Sequence, residues 1–130
     1  MSTSKEGEQM RELIDAVKNA FETKVFVKHM KDSSQYDSKD YGWETWKAFW
    51  AERTNNEVPQ TDYYCPSCKK YKDDIDGGHV VYNNKMYITP VCHTCNSCAA
   101  KDIEFRETPF EIQFNKLALF NPNELKNMRG

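Results

Sequence analysis

Two Cys-x-x-Cys pairs, Cys65-Pro66-Ser67-Cys68 and Cys92-His93-Thr94-Cys95, stand 23 residues apart and constrain this chain more than any other feature. A tight turn lets two thiolates two residues apart hold the same metal ion, and a second pair completes a tetrahedral set. The segment between the pairs must therefore double back on itself. Everything else has to pack around the unit that results.

Whether such thiols hold a metal or form disulfides depends on the compartment. The N-terminus (M-S-T-S-K-E-G-E-Q) is too polar for a secretory signal, and no run approaches the roughly 20 apolar residues needed to span a bilayer. These features lead us to expect a cytoplasmic chain with no membrane association, where clustered cysteines serve as metal ligands more often than as disulfides. Five cysteines, an odd number, point the same way. Four thiolates leave no open position for water, so a zinc ion held by Cys65, Cys68, Cys92 and Cys95 would be structural. Cys98 then reads as a spare thiol. The competing arrangements are a ligand exchange that brings in Cys98 or His93, and a redox-active pair.

With 130 residues the chain reads as one domain, 1–130. We divide it into a helical N-terminal part (9–61), a zinc-binding core (62–105) and a helical C-terminal extension (106–130). The formal net charge of -2 argues against binding duplex DNA by charge alone, so any nucleic-acid role must rest on a local patch. Lys69, Lys70 and Lys72, after the first cysteine pair, supply one, or are simply a solvated turn.

Along the chain, Met10, Leu13, Ile14, Val17 and Phe21 fall at helical spacing and predict an amphipathic helix. Lys24 to Met30 is β-prone but could extend that helix, with His29 on the surface or in packing. Residues 31–42 have a loop's composition. Trp43, Trp46, Phe49 and Trp50 then predict a helix from about Gly42 to Arg53, whose aromatic stripe closes over the zinc unit as core or serves base stacking or partner binding. Residues 54–64 read as a linker. Thr108-Pro109-Phe110-Glu111 carries helix-start signals, although Phe110, Ile112 and Phe114 also alternate as a strand would. Asn121-Pro122-Asn123-Glu124 repeats the capping pattern and predicts a short last helix through about Met128.

Within the core, His79-Val80-Val81-Tyr82 and Met86-Tyr87-Ile88-Thr89 form two β-prone tetrads joined by Asn83-Asn84-Lys85, a hairpin signal because asparagine tolerates positive φ. A helix follows, with Cys92 and Cys95 in its first turn. Knuckle, hairpin and helix with the second ligand pair is the order of a treble-clef zinc module. The fold class expected is α+β: a zinc-bound treble clef packed against N-terminal and C-terminal helices.

The stretch 62–105 resembles the HNH endonuclease family, or ββα-metal fold, through the cysteine knuckle, the histidine after Asp76-Gly77-Gly78, the hairpin and Cys92-His93-Thr94-Cys95-Asn96. In that family the first-strand histidine is the general base that activates water, and residues around it and on the helix hold a catalytic divalent metal. The resemblance implies His79 as the base and Asn96 near the last metal-binding position, with Mg²⁺ or another divalent ion if the site is catalytic. The sequence departs from the family at two positions. Gly78 stands where an acidic residue usually precedes the histidine, and Tyr87 stands where an asparagine is usual, which leaves Asp74 or Asp76 as the nearby carboxylates. For His79 the alternative is a hydrogen-bonding or packing group beside the zinc. Two functions follow as expectations. One is an HNH-like binding module that engages nucleic acid or a protein partner without efficient catalysis. The other is a divalent-metal-dependent endonuclease.

Overall fold

The computed structural model describes residues 9–13 and 23–123. Residues 9–13 are helical, matching the start of the expected first helix. The rest of that helix lies outside the described residues, as does the expected last helix beyond residue 123. The described chain mixes helix and sheet, and it is built outward from one hairpin.

That hairpin pairs β4 (Ile75–Tyr82) with β5 (Lys85–Cys92) in unbroken register from Ile75↔Cys92 to Tyr82↔Lys85. Its turn is two residues, Asn83 (φ 52°) and Asn84 (φ 62°), both in the left-handed region that a tight hairpin turn demands. Each strand is twice the length of the tetrad expected from sequence, because Lys85 pairs with Tyr82 and the strands continue through Gly77, Gly78 and Pro90. Gly77 is needed for a close approach rather than for a turn. A Cβ there would lie 2.7 Å from the Trp46 carbonyl carbon and 2.8 Å from the Lys47 nitrogen, both backbone atoms.

The hairpin anchors a five-stranded antiparallel sheet in the order β6-β1-β4-β5-β7, where β1 is Lys24–His29, β6 is Phe110–Gln113 and β7 is Ala118–Leu119. Two expectations are corrected here. The part 9–61 is not helical throughout, since Lys24–His29 forms a strand with partners on both sides. Among the described residues the C-terminal extension is not helical throughout either, because Phe110–Gln113 pairs with β1 from Lys24↔Gln113 to Val27↔Phe110. Phe110 and Ile112 are buried while Glu111 and Gln113 are exposed, so the alternation of period two prevails over the capping signal at Thr108. Thr108 instead ends a short helix, Ile103–Glu107, by donating its N–H to Glu104 and Phe105 carbonyls.

The aromatic helix α1 (Trp46–Thr54) starts later than Gly42 because Thr45 is its cap, with Thr45 Oγ1 accepting from Ala48 N at 3.1 Å. It stops where Asn55 turns left-handed. Its stripe faces inward. Phe49 and Trp50 are buried against Ile88, Ala118 and Phe120, with Trp43 and Trp46 packed at the edge. A second cluster, containing Val27, Val80, Tyr87, Phe110, Ile112 and three of the cysteines, fills the other side. Neighbouring strand residues point to opposite faces, so the pair Val80–Tyr87 serves the cysteine side and Ile88 serves α1. The aromatic stripe therefore closes over the hairpin face opposite the cysteines rather than over the cysteines themselves.

Candidate functional site

The first cysteine pair sits in a knuckle between two short strands, β2 (Tyr63–Cys65) and β3 (Lys70–Lys72). The turn closes when Lys69 N donates to the Cys65 carbonyl at 2.7 Å, with Lys69 itself left-handed at φ 62°. The second pair sits at the start of α2 (His93–Lys101). Cys92 is the cap of this helix rather than a member of its first turn, its sulfur accepting from Cys95 N at 3.5 Å. Strand β5 runs straight into that cap, so the hairpin delivers the second pair to the first.

All four sulfurs lie within 4.8 Å of one another, and together they could hold a metal ion. Cys65 and Cys95 sulfurs are 4.0 Å apart, and those of Cys68 and Cys92 are 3.9 Å apart. Four thiolates about 2.3 Å from a tetrahedral zinc would stand about 3.8 Å from each other, so the cluster has the size such an ion needs. Burial pushes the Cys65 and Cys95 thiols up. Burial acts the same way on Cys68, but hydrogen bonds from the Cys65, Cys92 and Cys95 side chains outweigh it and leave this thiol below its usual value. Cys92 N donates to the Cys65 sulfur at 3.3 Å, the kind of outer contact that steadies a thiolate ligand. Cys98 is exposed and outside the cluster, and His93 turns away from it.

Residues at the helix start make a second constellation. Asp76 Oδ2 accepts from Asn96 Nδ2 at 3.2 Å and lies 2.8 Å from His93 Nδ1, while His93 Nε2 lies 3.4 Å from Ser97 Oγ. Positions 93, 96 and 97 share one face of α2 by helical spacing, and that face looks at β4. Asp76 lies on β4 two positions before Gly78, on the same face of the strand, so it supplies a carboxylate where the adjacent position has none. Asp74 contributes only its backbone carbonyl, to His93 N.

His79 is in different surroundings. Its ring is 6% exposed, with Trp46 edge-on at 4.8 Å, Phe120 at 6.0 Å and Tyr36 stacked at 6.2 Å. Burial lowers its pKa to about 4, so it is neutral near pH 7. The Nε2 atom is buried and has no hydrogen-bond partner among the described residues. A recess of about 130 Å³ is lined by both His79 and Asn96, with His29, Asp32, Ser33 and Arg106 around it, yet Nε2 itself is sealed from solvent.

No known protein family, curated protein or solved structure matches this chain. The cysteine cluster stands on its own geometry. Among the described residues no helix is long and apolar enough to cross a membrane.

One residue carries more than its sequence reading assigned. His29 is buried between the rings of Phe105 (5.4 Å) and Phe110 (4.9 Å), and its Nε2 reaches Ser67 Oγ in the knuckle at 2.9 Å. Its packing role was legible as one of two options, but its knuckle partner was not, because Ser67 is remote in sequence. The His93–Asp76 pair carried a faint signal, a histidine three residues before Asn96 on a helix facing an aspartate-bearing strand.

Proposed function

We propose that this chain is a zinc-stabilised binding module on an HNH-like treble-clef scaffold, engaging nucleic acid or a protein partner without efficient catalysis. The observation that carries this reading is the sealed Nε2 of His79. A general base must come within hydrogen-bond reach of the water it activates, and a base of pKa about 4 takes up a proton with little driving force near pH 7. The segment over His79 is anchored rather than loosely laid. Met30 N donates to the His79 carbonyl at 2.9 Å and Trp46 Nε1 to the Tyr36 carbonyl at 3.3 Å.

Knuckle, hairpin and helix follow one another in treble-clef order, and the sulfur separations fit zinc, which supports the scaffold half of the proposal. When bound, the ion would supply a structural cross-link and no reaction step.

A second reading, the divalent-metal-dependent endonuclease, is favoured by one specific feature. Asp76, His93 and Asn96 converge within hydrogen-bond distance, and turning the Asn96 amide would aim its oxygen at the same point as the carboxylate, a donor set that suits a divalent ion. For this reading to hold, the rings packed on His79, those of Trp46, Phe120 and Tyr36, must move aside to admit water.

A plasmid-nicking assay with Mg²⁺ or Mn²⁺ separates the two. The binding-module reading expects no cutting with either ion. Cutting that disappears in both His79→Ala and Asp76→Asn, with zinc content unchanged, would replace it with the nuclease.

A further inference from the structure

The β2–β3 knuckle hairpin presents a surface that the buried aromatic stripe of α1 does not. Tyr64 pairs across the strands with Tyr71, so both rings stand on the same face, 5.3 Å apart and edge to face. They are 46% and 68% exposed, in contrast to the buried Phe49 and Trp50. Each is flanked in sequence by groups that turn to the other face, namely Tyr63 and Cys65 for Tyr64 and Lys70 and Lys72 for Tyr71.

Charge lies beside Tyr64. Beside them a groove of about 480 Å³ runs between the knuckle and β6, lined by Tyr63, Tyr64, Pro66, Lys24, Lys69 and Lys116 among others. Its one carboxylate, Glu111, is 3.7 Å from Lys24. Among the described residues Lys69, Lys70, Lys72 and Lys116 pair with no carboxylate. Lys69 also holds a left-handed backbone, a conformation that costs a non-glycine residue free energy and sets its side chain at the turn of the knuckle. A chain of net charge -2 thus sets Lys69 and the groove lysines Lys24 and Lys116 beside Tyr64.

We infer that this face binds single-stranded nucleic acid, with bases stacked on Tyr64 and Tyr71 and phosphates running along Lys69 and its neighbours. The inference rests on the nucleic-acid branch of the proposed function and locates it. A single strand fits because its base faces are free, whereas a duplex hides them within its own stack. An acidic peptide would satisfy the lysines but would leave the two rings without planar partners.

The test is fluorescence anisotropy of the full chain, zinc-loaded, with a labelled 12-nucleotide oligo(dT), a 12-base-pair duplex and a labelled poly-glutamate peptide. The expected result is tighter binding of the single strand than of the other two. Tyr71→Ala should weaken it by roughly tenfold, and Tyr64→Ala/Tyr71→Ala by more, while Tyr64→Phe/Tyr71→Phe retains most of it. The triple change Lys24→Gln/Lys69→Gln/Lys116→Gln should flatten the salt dependence by about two in log–log slope. Oligonucleotide binding that survives Tyr64→Ala/Tyr71→Ala at unchanged zinc content overturns this location but leaves the binding-module reading intact. Binding of poly-glutamate in preference to the single strand overturns the assignment of nucleic acid as the occupant. If neither oligonucleotide binds even at low salt, the inference falls together with the nucleic-acid branch on which it rests.

Discussion

His29 Nε2 lies 2.9 Å from Ser67 Oγ, and this contact ties the strand nearest the N-terminus to the turn that carries the first two cysteines. The imidazole is also held between Phe105 and Phe110, so one side chain joins the knuckle, the short helix after α2 and strand β6. Replacing it with alanine removes that ring from a packed site and should destabilise the zinc-loaded protein by about 3 kcal/mol in urea unfolding. His29→Phe keeps the ring and loses only the hydrogen bond, and should cost about 1 kcal/mol. Equal costs for the two substitutions would contradict the packing role.

Acid should act through both buried histidines. Burial lowers the pKa of His29 and of His79 to about 4 in the folded protein, against about 6.5 in the unfolded chain. The unfolded state therefore holds more protons between those values. The stability contributed is fully present above about pH 6.5 and is lost as pH falls towards 4, by up to about 3 kcal/mol for each residue. Unfolding midpoints measured from pH 7.5 to 4 should fall along that window. The slope should drop by one proton in His79→Phe, and an unchanged slope in that variant would exclude His79 as a contributor.

On the proposed zinc-binding reading, removing the ion should unfold at least the cysteine-bearing half. The expected stoichiometry by elemental analysis is one zinc per chain, unaltered in Cys98→Ser and lost in Cys65→Ser. Structural zinc contributes on the order of 10 kcal/mol, comparable with the whole stability of a small domain, so chelation should abolish the cooperative transition. A chelated protein that melts like the untreated one would remove the structural role.

Gly77→Ala should destabilise by about 1–3 kcal/mol, because the added methyl meets backbone of Trp46 and Lys47 that cannot step aside. Gly78→Ala meets the Val91 side chain at 2.6 Å instead, which has more freedom to shift, and should cost less. Thermal melts of the two variants give the ranking directly, and the reverse order would mean that α1 sits less tightly on the hairpin.

The Lys116 carbonyl accepts from both Trp50 Nε1 (2.8 Å) and Thr89 Oγ1 (2.9 Å). Thr89→Val and Trp50→Phe should each weaken the fold by about 1 kcal/mol or more, and together by about 1 kcal/mol beyond their sum, since only the double variant orphans the carbonyl. Strict additivity in a double-mutant cycle would show that the carbonyl finds another donor.

How legible each feature is in the sequence depends on how local its cause is. The cysteine pairs, the asparagine turn and the helical stripe of Trp43, Trp46, Phe49 and Trp50 all follow from residues a few positions apart and show in the amino-acid pattern, whereas only the fold decides that Trp50 faces inward. Strand β6 is hidden from such a reading, because its helix-start signals at Thr108 and Pro109 are local while its partner Lys24–Val27 lies far away in sequence. The same limit applies to the candidate site. Asn96 and His79 are named through the resemblance to the HNH family, but the burial of His79 depends on Tyr36 and Phe120, which only the tertiary fold brings together.

Among the described residues strand β6 has one partner in the sheet, and that partner is β1. Four residue pairs join β6 to β1, whereas two join β1 to β4, so the outer ladder is the longer of the two. Hydrogen exchange should report that arrangement, since an opening between β1 and β4 releases β1 and β6 together with their shared ladder intact, whereas β6 can also peel away alone. Strand β6 is thus an outer leaf of a sheet whose inner hairpin ends on Cys92, the first residue of the second cysteine pair.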